Sequence, residues 1–155
     1  MKVVTEERTP TRLACIRHIG PYHEIGKAFA ELGQKLASAG ILEDQLGQIV
    51  AVYYDDPNTT APSDLKSDAG IIVAESVDLP PTLIEQRLAG GRYAVAAHEG
   101  SYAGLGEAWS RLYREELPAN GLQWLDAPCF EIYRNDCTKV PEAELRTDLY
   151  VPIRA

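Results

Sequence analysis

Apolar and polar residues alternate with a period of two over several short stretches of the chain, and the period becomes helical over two longer ones. Val3–Arg8 and residues 13–19 read as strands separated by Thr-Pro-Thr, a hairpin pattern. After Gly20-Pro21-Tyr22, Ile25, Phe29, Leu32 and Leu36 follow one another at i, i+4, i+7 and i+11, which predicts a helix closed by Gly40. Strands over 48–55 and 69–76 complete this half, with the polar loop DDPNTTAPSD between them. The second half runs the same course. Strands at 83–88 and 93–99 flank a Gly-Gly turn, Leu105, Trp109 and Leu112 mark a helix ended by Pro118, and strands at 129–135 and 147–153 enclose the loop NDCTKVPEAE.

The likeness of the halves is a repeat. At an offset of 80, LACIRHIGPYHEIGKAFAEL (13–32) lies against YAVAAHEGSYAGLGEAWSRL (93–112). It pairs Ala14/Ala94, His18/His98, Gly20/Gly100, Tyr22/Tyr102, Gly26/Gly106, Ala28/Ala108 and Leu32/Leu112, 7 identities in 20 positions. Average composition would give about one. Residues 3–76 and 83–153 are thus expected to be two copies of one module, joined by SVDLPP at 76–81. One strand–helix–strand–strand module cannot cover both faces of its own sheet, so the copies are expected to share a core. The expectation is an α+β fold of duplicated modules about a pseudo-two-fold axis: an antiparallel sheet, two main helices and a central pocket, all in one ligand-binding domain of residues 1–155.

Differences between the copies point to the chemistry. At an offset of 79, VAVYY (50–54) lies against CFEIY (129–133), so that Glu131 replaces Val52. Alternation puts Cys129, Glu131 and Tyr133 on one face and Phe130 with Ile132 on the other. A glutamate there is either solvated on an exposed face or the counter-charge of a cationic ligand, to which aromatic rings would add cation–π attraction. Trp109, at the helical position of Phe29, is a core residue or a pocket wall. Tyr22 and Tyr102 follow equivalent turns, and Trp124 in GLQWLDAP is a weaker aromatic candidate of the same kind.

Composition narrows the classes. Fifteen Lys and Arg against 23 Asp and Glu give a net charge of −8, which disfavours direct nucleic-acid or anionic-membrane binding and suits a cationic ligand or a basic partner. No stretch approaches 18 apolar residues, and MKVVTEERTPTR has no apolar signal core, so a cytoplasmic protein is expected. Cys15, Cys129 and Cys137 lack CxxC spacing, and His18, His23 and His98 form no HxH, HxxH or HExxH. Neither disulfide, metal nor cofactor is expected. Gly100-Ser101-Tyr102 is not a nucleophile elbow.

Gly20-Pro21-Tyr22, His98-Glu99-Gly100-Ser101-Tyr102, PCFEIYRND (128–136) and DLYVPI (148–153) make the chain resemble the GyrI-like small-molecule-binding family, the effector-binding domain of AraC- and MerR-type drug-responsive regulators. The resemblance implies a pocket for hydrophobic, often cationic compounds in which Glu131 is the pocket glutamate. Trp109, Tyr22, Tyr102, Tyr133, Phe29 and Tyr54 are the candidate lining residues. No helix-turn-helix accompanies the repeat, so a stand-alone relative is expected. Stand-alone relatives are linked to DNA gyrase inhibition, to toxin protection and, in one branch, to hydrolysis of cyclopropane-bearing genotoxins, for which Glu131 would be the catalytic residue.

Overall fold

The computed structural model describes all 155 residues, Met1–Ala155. The elements run β1 (Val3–Arg8), β2 (Thr11–Ile19), α1 (Gly26–Ser38), β3 (Leu46–Tyr53), β4 (Lys66–Val73), β5 (Ile84–Leu88), β6 (Gly91–Glu99), α2 (Leu105–Arg111), β7 (Cys129–Tyr133) and β8 (Arg146–Pro152). This is the α+β class, with eight antiparallel strands and two main helices. The chain divides into two compact units, Pro10–Ala89 and Met1–Thr9 with Gly90–Ala155. Strands are ordered β5-β2-β4-β3 in the N-terminal unit and β1-β6-β8-β7 in the C-terminal one.

That order overturns the expected hairpins. β1 pairs with β6, register Arg8↔Gly91, and β5 pairs with β2, register Leu88↔Thr11. A two-residue hairpin needs positive φ in its turn. In both primed turns the first loop residue must have it; here that residue is Thr9 or Ala89, and no residue other than glycine has positive φ. Each module therefore contributes its first strand to the other unit. SVDLPP is likewise no free linker. Arg12, 9% exposed, donates from Nη1 to Ala74 O and Val77 O, both at 2.8 Å, and from Nε to Glu85 at 3.2 Å. These bonds fasten the segment to the N-terminal unit, and the crossing falls instead at Ala89–Gly90.

The two units repeat one another down to single hydrogen bonds. Gly20 N donates to Leu65 O and Gly100 N to Leu145 O, each at 2.8 Å. His18 Nε2 donates to Pro21 O at 3.0 Å, and His98 Nε2 to Ser101 O at 2.9 Å. The histidines thus serve matching turns, and no group of three or more His, Cys, Asp or Glu gathers as a ligand set.

Helices cover one face of each sheet. In the C-terminal unit Ala108, Leu112 and Leu117 pack with Ala94, Ala96, Leu149, Val151 and Ile153, and each fully buried Leu contributes roughly 1.5–3 kcal/mol. In the N-terminal unit α1 buries Ala28, Leu32 and Leu36. The offset of 80 that aligns Leu32 with Leu112 becomes 81 one turn later. Gly40 (φ 70°) matches Gly121 (φ 66°), and the Ile41 N→Leu36 O bond matches Leu122 N→Leu117 O. The extra residue is absorbed by a π-turn over Leu112–Glu116, where Leu117 N–H reaches back five residues to Leu112 O. Pro118 accordingly does not end this helix. The wide turn precedes it, the chain completes an α turn over Leu117–Ala119, and Gly121 takes the left-handed exit.

At β7 the offset is 80 again. Ile132 lies opposite Asp148 as Val52 lies opposite Asp68, and Glu131 lies opposite Leu149 as Ala51 lies opposite Ala69. Glu131 therefore stands in place of Ala51, not Val52.

Candidate functional site

Opposed residues on neighbouring antiparallel strands share a face, so Glu131, paired with Leu149, points to the helix-covered side of the C-terminal sheet. It is 1% exposed. A carboxylate withdrawn this far from water must find donors. Trp109 of α2 donates from Nε1 to Oε1 at 2.6 Å, and Tyr133, two residues along the strand, donates to Oε2 at 2.7 Å. Both of these donors are neutral groups, and between them they hold the two carboxylate oxygens in place.

Aromatic rings extend from both donors. Tyr102, at the turn before α2, packs edge-on against Tyr133 with centroids 5.4 Å apart. Trp109 stacks on Tyr113 at 6.1 Å, and Tyr113 meets Trp124 edge-on at 5.6 Å. The result is an arc of five rings with a carboxylate at its centre. Its titratable neighbours are held protonated. Burial first, and the charge of Glu131 in addition, push the Cys129 thiol up to about 11, against an opposing hydrogen bond with Tyr113. Burial, then Cys137, Asp136 and Glu131, raise the Tyr102 phenol. A thiol raised this far carries little thiolate at neutral pH.

Guanidinium groups occupy the other face of the same sheet. Arg134 and Arg146 bind Asp148 at 2.6 and 3.2 Å, and Arg8 lies over the stacked rings of Phe130 and Tyr150. The pleat thus puts cation-paired Asp148 and aromatic-ringed Glu131 on opposite sides.

The expected site residues divide accordingly. Glu131, Trp109, Tyr133 and Tyr102 come together in the C-terminal unit. Tyr22 belongs to the N-terminal unit, where it packs on Tyr53 with centroids 4.6 Å apart and donates to Asp55 O at 2.7 Å. Phe29, half-buried on α1, is the counterpart of Trp109, and Ala51 supplies no carboxylate. Tyr54 does not join this ring set. Its hydroxyl donates to buried Asp68 at 2.5 Å, and Arg17 lies 5.0 Å over its ring while binding Asp68 at 2.6 Å. Asp68 faces Val52, away from Tyr53. An offset of 79 exchanges the two faces, and at the observed offset of 80 Tyr53 is the counterpart of Tyr133. Tyr113 has no signal in the sequence pattern, since it aligns with Gly33 at the regular offset of 80.

The C-terminal unit of this α+β scaffold thus holds a buried carboxylate framed by aromatic rings. The chain belongs to the GyrI-like family, whose model, described as the GyrI-like small molecule binding domain, matches residues 1–154. It is 35% identical over 136 residues to the DNA gyrase inhibitor of Yersinia enterocolitica, covering 84% of each chain. Among solved structures it resembles the EcmrR C-terminal domain, with TM-score 0.79, 18% identity, and coverage of 99% of this chain and 97% of that one. It also resembles SAV2435 bound to tetraphenylphosphonium, with TM-score 0.67, 15% identity, and coverage of 100% and 95%. These two likenesses concern the fold. No helix is long and apolar enough to cross a membrane.

Proposed function

We propose that the protein captures hydrophobic organic cations at Glu131 and its aromatic arc. The observation that carries this reading is the burial of a carboxylate whose donors, Trp109 and Tyr133, are neutral. One hydrogen bond holds each oxygen, and a negative charge at that place acts on whatever approaches the rings. A cation about 5 Å away gains roughly 3 kcal/mol at an effective dielectric of about 20. Each ring face adds about 0.5–2 kcal/mol of cation–π attraction. The structural likeness to SAV2435, solved with tetraphenylphosphonium, is in keeping with such a ligand. Calorimetric titration with tetraphenylphosphonium and with neutral triphenylphosphine oxide tests the reading. Preference for the cation supports it, and equal affinity for the two removes it. Product analysis on the same mixtures separates capture from hydrolysis, in which Glu131 would serve as a general base on water.

A second reading rests on the 35% identity to a DNA gyrase inhibitor. At −8 the chain repels DNA and suits a basic protein surface. A gyrase supercoiling assay with the wild-type protein and Glu131→Gln tests it. Inhibition that survives the substitution assigns this activity to a surface other than the arc.

A further inference from the structure

Trp124 is the largest apolar side chain left in water: 52% exposed, on a backbone that is not loose. Trp124 forms a β-bridge to Ile153, Leu125 N donates to Pro152 O at 2.9 Å, and Arg154 N donates to Gln123 O at 2.9 Å. The loop is thereby fastened to the end of β8 and presents one indole at a set place. That place is against Tyr113, whose ring stands at 88° to the indole. Tyr113 in turn lies within the π-turn. The N-terminal module has Gly33 at the aligned position in α1, a regular helix, and the short segment ILEDQLG (41–47) carries no aromatic residue. The extra helical residue and the aromatic loop therefore occur together, only in the module that carries Glu131. A π-turn is costly enough to be rare, and where it occurs it frequently re-aims a side chain at a functional site.

We propose that Tyr113 and Trp124 form a second aromatic subsite, continuous with the Glu131 arc, that selects cations carrying a second ring beyond the one next to the charge. The inference rests on the reading of Glu131 as a cation site and names its ligand class more narrowly. Two rings at right angles form a corner, in which a third ring meets one face-on and the other edge-on, the two favoured aromatic geometries. Trp109 links this corner to the carboxylate, since its ring stacks on Tyr113 at 26° while its Nε1 binds Glu131. A one-ring cation would be held by Glu131, Trp109 and Tyr133 alone. A longer one would place its distal ring against Trp124 and withdraw that indole from water.

Benzyltrimethylammonium and (biphenyl-4-ylmethyl)trimethylammonium have the same charged head and differ by one ring. Titration calorimetry of both against wild type, Trp124→Ala, Trp124→Phe and Glu131→Gln tests the proposal. Trp124→Ala should weaken the two-ring probe about tenfold and change the one-ring probe less than about twofold, while Trp124→Phe keeps most of the two-ring affinity. Glu131→Gln should weaken both probes. Unchanged one-ring binding by Trp124→Ala also shows that the fold survives. Equal weakening of both probes by Trp124→Ala, or no weakening of the two-ring probe, overturns the subsite. If Glu131→Gln affects neither probe while Trp124→Ala still discriminates, the subsite stands and the cation reading falls. Failure of the wild type to bind either probe overturns both.

Discussion

Replacing Glu131 by Gln removes one charge and leaves a side chain of nearly the same shape. Trp109 Nε1 can only donate, so it stays on the amide oxygen, as it now stays on Oε1 at 2.6 Å. The new amide group then donates to Tyr133, whose hydroxyl accepts as readily as it donates, at the 2.7 Å contact. Both bonds survive, and a buried amide costs less to desolvate than a buried carboxylate. Folding stability should therefore be unchanged or higher. Binding of tetraphenylphosphonium should fall by about 1.5–3 kcal/mol, the range for interactions with a charged group and in line with the roughly 3 kcal/mol Coulomb gain above. That is about 10- to 150-fold in Kd. Neutral triphenylphosphine oxide should bind both proteins alike. Glu131→Leu supplies the contrast, because it strands the Trp109 and Tyr133 donors at about 1–3 kcal/mol each and should lower Tm. Calorimetry for the ligands and thermal unfolding for the three proteins read these out. Equal loss for cation and neutral compound, no loss for either, or a lower Tm for Glu131→Gln would refute the reasoning.

Thiol labelling with an aromatic disulfide at pH 8 should modify exposed Cys137 quickly. Cys15, fully buried with its thiol pushed up to about 12 by burial and then Asp68, and Cys129, pushed up to about 11, should react only on unfolding; rapid labelling of more than one thiol per chain in the native state would contradict this. Gly70→Ala would bring its Cβ within 2.9 Å of Cys15 Sγ, and should cost about 1–3 kcal/mol, seen as a Tm several degrees lower. Asp55 accepts from Lys66 N at 2.7 Å, and that bond, followed by the Lys66 ammonium, lowers its pKa. The stability it contributes is present above the ordinary carboxylate range and disappears as pH falls through the lowered folded value, at roughly pH 4 and below. Asn135 does the same work uncharged, accepting from Arg146 N at 3.0 Å. Asp55→Asn should therefore flatten the acid limb of a Tm-against-pH curve, and an unaltered limb would show that the bond carries no linkage.

Period-two and helical patterns, together with the 80-residue repeat, were enough to establish the element types, their order and the face that Glu131 shares with Tyr133, because periodicity reports which side chains lie on one side of an element. The repeat also located the place where the copies differ. Periodicity carries no information on partners. Whether β1 joins β2 or β6 depended on the φ that the Thr9–Pro10 connection can adopt and on which strand edge it then meets, so the exchange of first strands became visible only in the fold. The counterpart of Glu131 likewise turned on a shift of one residue. An alternating pattern tolerates a slip at the cost of exchanging faces, and only the backbone pairing with β8 settled Ala51 over Val52 and removed Tyr54 from the ring set. Tyr113 and Trp124 are the extreme case. One lies in a helical turn whose hydrogen bonds reach one residue further than usual, and the other is held by a bridge between segments distant in sequence. Both depend on contacts that no local pattern encodes.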